Sequence, residues 1–103
     1  MSLQTLYLMP TLACNCRCTY CYIPEEERAR PAAAPDFVPL LAAFLQEAEP
    51  EAQLRFVGGE PMLLPETVAE LAALFLRARP QGLVVVNTNG TLLMPENLAP
   101  FVP

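Results

Sequence analysis

Four cysteines lie between positions 14 and 21, and the chain has no others. Cys14, Cys18 and Cys21 have the spacing C-x-x-x-C-x-x-C, which lets three thiolates of one short loop bind three irons of a cubane cluster. The fourth iron then lacks a protein ligand, and an open coordination position is what a metal centre needs to activate a small molecule. Such crowding of thiols in a reducing compartment favours metal or cluster binding over disulfides.

Cys16 lies between the first two of these cysteines and leaves other interpretations open. With it, the loop reads C-x-C-x-C-x-x-C, and four thiolates could close around zinc or an iron-sulfur centre without any cofactor. A further interpretation is four buried thiols with no ligand, although buried free cysteines are rarely so crowded. Zinc sites that need imidazole are excluded within the chain because it has no histidine.

Two other groups of unusual residues follow apolar segments. Gly58 and Gly59 permit positive φ and a close approach of the backbone to a ligand, and Glu60 adds an anionic acceptor before a proline. Positions 87–90 read Asn-Thr-Asn-Gly, which includes Thr88 and Asn89. Each group is also typical of an ordinary turn beside a strand, and spacing alone does not separate the two interpretations.

The spacing of apolar residues predicts the elements that position these groups. Apolar residues from Phe37 to Ala48 recur at helical spacing, with Asp36 as the cap and an end near Pro50. A second helix is predicted after Pro65, with an inner face formed by Val68, Leu71, Ala72 and Phe75. Strands are predicted at 3–9, 54–57 and 83–86, and the segment after 91 indicates the start of another helix.

This order of elements predicts an α/β fold, a partial parallel (βα) barrel of the TIM type with the arrangement βαβαβ. The cysteine loop, the Gly-Gly-Glu-Pro turn and the Thr-Asn-Gly turn each follow the carboxyl end of a strand. In a parallel sheet these ends share one edge, where α/β proteins place their sites. The 103 residues are too few for a full barrel, which needs roughly 200 or more.

With these features the chain resembles the radical S-adenosylmethionine (radical SAM) superfamily. The stretch TLACNCRCTYCY looks like the family's cluster loop, and RFVGGEPML looks like its second motif. The Thr-Asn-Gly segment is similar to one in the subgroup of sulfatase-maturating and peptide-modifying enzymes. The resemblance implies that Cys14, Cys18 and Cys21 bind a 4Fe-4S cluster, whereas Cys16 departs from the family's pattern.

The resemblance also implies a cofactor site beside the cluster. Residues 58–60 would hold the methionine end of S-adenosyl-L-methionine, Tyr20 would pack near its adenine, and Thr88 and Asn89 would belong to the same site. An electron donor of the flavodoxin or ferredoxin type would reduce the cluster. Reductive cleavage of the cofactor would yield a 5′-deoxyadenosyl radical, which abstracts hydrogen from a substrate such as a peptide or protein, and the cofactors would carry this chemistry.

The resemblance covers nearly all of residues 1–103 but only about the first half of the family's barrel. It assigns the cluster loop to 10–24, the Gly-Gly-Glu-Pro turn to 58–61 and the Thr-Asn-Gly turn to 88–90. The chain is therefore expected to be the amino-terminal part of a radical SAM domain. A complementing chain could supply the rest, or the chain could be an inactive remnant that binds a cluster without turnover.

Composition and charge argue against several other classes of function. With 53% hydrophobic and 17% charged residues, the chain is unlike disordered proteins. Its net charge is -5, and its six basic residues are scattered arginines, so a nucleic-acid partner is not expected. No apolar run approaches about 18 residues, so a membrane partner is not expected either, and a cytoplasmic location is predicted.

Overall fold

A sheet of three parallel strands forms the centre of the structure, a computed structural model that describes residues 2–15 and 23–101. The strands, in the order β1-β2-β3, are β1 (Leu3–Leu8), β2 (Ala48–Phe56) and β3 (Leu83–Val86). The described part of the chain also contains the helices α1 (Glu25–Arg28), α2 (Val38–Leu45), α3 (Pro65–Ala78) and α4 (Pro95–Leu98), with 3-10 turns at Pro61–Leu63 and Ala99–Phe101. The predicted α/β class is confirmed, and the alternation of parallel strands with helices is consistent with a partial (βα) barrel.

Helices α2 and α3 cover one face of the sheet. Their apolar side chains pack with every second residue of the strands into a single core, which includes Leu8, Leu41, Phe44, Leu54, Phe56, Val68, Leu71 and Phe75. The four residues predicted for the inner face of α3 are all buried, so that helix and its orientation are confirmed. Burial of each large apolar side chain contributes about 1.5–3 kcal/mol, which makes this face the main source of stability.

The alternate residues of the strands lie on the opposite face of the sheet. Tyr7, Arg55 and Val85 are in register on neighbouring strands, and Nε of Arg55 donates to Oε1 of Gln53 at 2.9 Å. The side chain of Tyr7 is 62% exposed, and that of Leu83, farther down the same face, is 51% exposed. This face is therefore mixed in polarity and open, in contrast to the face that the helices cover.

The end of α2 differs from the prediction. The helix stops at Leu45, and Ala48 is the first residue of β2 rather than part of the helix's inner face. The amide of Leu3 donates to the carbonyl oxygen of Glu47 at 2.7 Å, and Leu3 pairs with Ala48, so β1 draws this segment into the sheet. The prediction was wrong because the spacing of apolar residues along the chain carries no information about hydrogen bonds to a distant strand.

Two other predictions concern the ends of the elements. Asp36 lies before α2, and its Oδ1 atom accepts a hydrogen bond from the amide of Val38 at 3.0 Å. The helix expected after residue 91 is α4, which starts at Pro95. None of the described helices has the length and apolar character needed to cross a bilayer.

Candidate functional site

The chain turns towards β2 as soon as β1 ends. Thr11 is buried, and its Oγ1 atom accepts a hydrogen bond from the amide of Ala13 at 3.0 Å. The amide of Cys14 donates to the carbonyl oxygen of Arg28 at 2.9 Å, which fixes the backbone of Cys14 against the end of α1. The side chain of Cys14 is half-buried. The first predicted cluster ligand thus has a backbone position set by the fold.

The remaining predicted residues of the cysteine loop lie outside the described residues. They are the expected ligands Cys18 and Cys21, the aromatic Tyr20, and Cys16. Within residues 2–15 and 23–101, no three His, Cys, Asp or Glu side chains form a group that could hold a metal ion. The predicted ligand set therefore stays a prediction for all three cysteines.

The Gly-Gly-Glu-Pro turn lies directly against the cysteine loop. The amides of Gly59 and Glu60 donate to the carbonyl oxygens of Thr11 at 3.1 Å and Ala13 at 2.8 Å, so the pairing of β1 with β2 continues beyond the strands. Gly58 has a φ of 105°, and a Cβ atom on Gly59 would overlap the carbonyl oxygen of Ala13. Both positions therefore require glycine, and the close approach at Gly59 is to the chain's own loop.

Glu60 connects this turn to the turn after β3. Its side chain is only 1% exposed, yet the carboxylate has three donors. Oε2 accepts from the amide of Met62 at 2.9 Å and from Oγ1 of Thr88 at 2.7 Å, and Oε1 accepts from the amide of Asn89 at 2.7 Å. A carboxylate has about four acceptor positions, so these bonds compensate most of the cost of burying its charge.

The Thr-Asn-Gly turn reaches back to the cysteine loop through the side chain of Asn89. Its Nδ2 atom donates to Oδ1 of Asn15 at 2.9 Å and lies 4.0 Å from Sγ of Cys14. Its Oδ1 atom accepts from the amide of Thr91 at 3.0 Å, and Gly90 has a φ of 84°. Asn89 is therefore held in a tight turn with its amide group directed at the first cysteine.

The three turns meet at one edge of the sheet, as their positions after the strands predict. Gly59, Glu60, Thr88 and Asn89 lie in the connected set of hydrogen bonds that begins at the loop before Cys14, and Gly58 directly precedes Gly59. Sequence reasoning thus identified the residues that the fold brings together. Thiolate sulfur is the ligand type that iron-sulfur clusters take, and the amide of Asn89 is the kind of donor that tunes such sulfur atoms.

Two residues of this network were missed. Nδ2 of Asn15 donates to Oγ1 of Thr91 at 2.7 Å, and Oγ1 of Thr91 donates to Oδ1 of Asn89 at 2.8 Å. Asn15 directly follows the first cysteine, and Thr91 directly follows the Thr-Asn-Gly turn. Their proximity to the motifs was the available signal, but their contact joins positions 76 residues apart.

One comparison with known proteins identifies a family. The family model described as the radical SAM superfamily matches residues 8–102, a span that includes all three turns. Neither the curated proteins nor the solved structures include a significant match.

Proposed function

Because the chain belongs to the radical SAM superfamily, we propose that it binds a 4Fe-4S cluster through Cys14, Cys18 and Cys21 and S-adenosyl-L-methionine beside that cluster. In this proposal the 103 residues are the amino-terminal part of a radical SAM domain. The observation that carries the proposal is the direct hydrogen bonding among the three turns, which puts the Gly-Gly-Glu-Pro and Thr-Asn-Gly residues next to Cys14.

The predicted ligands fit the two cofactors by their chemistry. Three cysteine thiolates leave one iron open for a ligand, and the donor set of soft sulfur atoms suits an iron-sulfur cluster. When bound, the cofactors supply a one-electron cleavage of a carbon–sulfur bond and abstraction of hydrogen from a substrate. The electron comes from a donor of the flavodoxin or ferredoxin type.

The chain's own residues orient the cofactor. The glycines let the turn pack against the cysteine loop, and the carbonyl oxygens of Gly58 and Gly59 would accept from the ammonium group of the cofactor. Glu60 is buried and bonded to three donors, so its carboxylate would support that ammonium from behind the turn, by its negative charge and by fixing the turn's backbone. Thr88 and Asn89 would act through Glu60 and Cys14, beside which they lie, and Tyr20 would pack near the adenine.

The open face of the sheet is the place for the substrate. Tyr7, Arg55 and Val85 are in register on this face, below the edge that carries the three turns. A peptide or protein substrate, or a complementing chain that supplies further strands, would cover it. The exposure of Tyr7 (62%) and Leu83 (51%) supports such a cover, because large side chains gain free energy when they are removed from water.

One reconstitution experiment tests the proposal. The chain is loaded anaerobically with iron and sulfide, and its iron, sulfide and zinc contents are measured. It is then mixed with S-adenosyl-L-methionine and a reductant, and 5′-deoxyadenosine is measured. We expect about four irons per chain and formation of 5′-deoxyadenosine. Iron without 5′-deoxyadenosine would identify a cluster-binding remnant, and zinc bound by four thiolates would identify a small metal-binding module.

A further inference from the structure

Arg28 is the last residue of α1 and lies beside the first predicted cluster ligand. Its carbonyl oxygen accepts the hydrogen bond from the amide of Cys14 at 2.9 Å, so the two backbones are in direct contact. An arginine side chain is long enough to reach the cysteine loop from this backbone position. The position of Arg28 is thus set by the same bond that fixes Cys14.

The guanidinium group of Arg28 has unsatisfied donors. Among the described residues, the buried side-chain nitrogen and oxygen atoms without a hydrogen-bond partner are Nε and Nη1 of Arg28. A buried donor that lacks a partner is costly, and the cost is larger when the group is charged. The carboxylate of the neighbouring Glu27 forms its ion pair with Arg30 instead, at 3.2 Å. An anion at this position would remove the penalty.

Resting on the proposed function, we propose that Arg28 is a positioning residue whose guanidinium group binds the anionic 4Fe-4S cluster on the Cys14 side. A cluster held by three thiolates carries net negative charge, and reduction adds one more negative charge. A cation beside it therefore stabilises the reduced form more than the oxidised form. Arg28 retains the cluster and raises its midpoint potential, which makes reduction by the electron donor easier.

The chain offers a matched control for this role. Arg30 lies two residues farther along, but its side chain is 67% exposed and already paired with Glu27. Arg28→Met removes the charge and the donors but keeps a side chain of similar length, and Arg28→Lys keeps the charge. Arg30→Met, the control, removes a charge from the same segment. Each variant is compared with the parent chain in three measurements.

The first measurement is thermal unfolding of the iron-free chain. Arg28→Met should raise the midpoint of unfolding by roughly 4 °C, because two buried donors without a partner are replaced by an apolar side chain. Arg30→Met should leave the midpoint within about 2 °C of the parent. If Arg28→Met lowers the midpoint of the iron-free chain, the buried guanidinium is already satisfied by the protein, and the inference fails.

The second and third measurements use the cluster-loaded chain without S-adenosyl-L-methionine. Arg28→Met should lose iron to a chelator about 10-fold faster than the parent. Its midpoint potential should be lower, whereas Arg28→Lys should restore much of the potential. Equal potentials and iron loss in the parent and Arg28→Met would overturn the inference.

Two further outcomes separate the inference from the proposed function. If the effects of Arg28→Met appear only after S-adenosyl-L-methionine is added, the anion is the carboxylate of that cofactor, and the assignment to the cluster is wrong. If the parent chain takes up no iron, both the proposed function and the role of Arg28 fail. If the parent chain takes up iron normally and Arg28→Met has the same iron loss and midpoint potential, the inference fails but the proposed function stands.

Discussion

At each end of the sheet, one charged side chain connects separate segments of the chain, and the two side chains differ in the hydrogen bonds that they form. At the carboxyl end, Glu60 is buried and accepts hydrogen bonds from Thr88 and Asn89, which belong to another turn. At the amino end, Arg79 donates to the carbonyl oxygens of Leu45 at 2.6 Å and Ala48 at 3.0 Å. The carboxylate of Glu60 accepts hydrogen bonds from a turn, whereas the guanidinium of Arg79 donates to carbonyl oxygens at the end of α2 and the start of β2.

This difference shows which charged residue belongs to a site. The partners of Glu60 lead on to Cys14 through the side chain of Asn89, so a change at Glu60 reaches the predicted cluster loop. The partners of Arg79 lie in the connection from α2 to β2, which carries no predicted ligand. Both residues contribute to stability, but only Glu60, at the carboxyl end, is connected to the predicted cluster loop.

The largest effect is expected at Cys14. Cys14→Ala should abolish cluster binding, because two thiolates do not retain a cubane cluster that needs three. Iron and sulfide analysis after anaerobic reconstitution measures this loss. Cys16→Ala is the matched control and should keep its iron. Loss of the cluster in Cys16→Ala but not in Cys14→Ala would show that the ligand assignment is wrong.

Two glycines allow the cost of close packing to be measured separately from the cost of an unfavourable backbone conformation. Gly59→Ala should lower the free energy of unfolding by about 3 kcal/mol, because its Cβ atom would overlap the backbone of the cysteine loop. Gly90→Ala meets nothing within 4 Å and should cost only about 1 kcal/mol through its positive φ. Urea unfolding of both variants measures the difference. Equal costs would contradict the close approach of the two turns.

Glu60→Gln tests the carboxylate without removing its volume. The variant should bind S-adenosyl-L-methionine roughly 10- to 100-fold more weakly, because the negative charge behind the ammonium site is removed and the donors of Thr88 and Asn89 lose a charged acceptor. Its iron content should equal that of the parent, and unfolding should become easier by about 1–3 kcal/mol. Glu66→Gln, at an exposed position in the first turn of α3, is the control. Unchanged cofactor affinity in Glu60→Gln would restrict Glu60 to a structural role.

Arg79→Ala tests the opposite end of the sheet. It should lower the free energy of unfolding by about 1–2 kcal/mol, because the carbonyl oxygens of Leu45 and Ala48 lose a donor. Arg77→Ala, on the exposed surface of α3, should stay within about 0.5 kcal/mol of the parent. Neither variant should change iron content or cofactor affinity. A loss of iron in Arg79→Ala would remove the distinction between the two ends.

The smallest effect is expected for Asn89→Ala. Its exposed side chain contributes little to stability, so unfolding should change by less than about 1 kcal/mol. The cluster-loaded variant should have a lower midpoint potential, because a donor beside Sγ of Cys14 is removed and such donors favour the reduced cluster. Asn97→Ala, which removes a donor to Leu92 instead, should leave the potential unchanged. Equal potentials for parent and Asn89→Ala would contradict this role.

The sequence by itself determined the features that depend on neighbouring residues. The helix after Pro65 and the strand at 83–86 follow from local spacing of apolar side chains, and the structure has both. The order of strands and helices was sufficient to predict a parallel sheet with three turns at one edge. The cysteine spacing and the glycine positions identified the motifs before any contact was known.

Only the tertiary structure decided the features that depend on distant residues. The end of α2 is set by bonds from Leu3 and Arg79, and the buried state of Glu60 is set by Thr88 and Asn89 from another turn. The sequence cannot indicate which donors will surround a carboxylate, because hydrogen-bond partners are selected by three-dimensional proximity rather than by spacing along the chain. For the same reason, the unpartnered guanidinium of Arg28 became visible only when its surroundings were known.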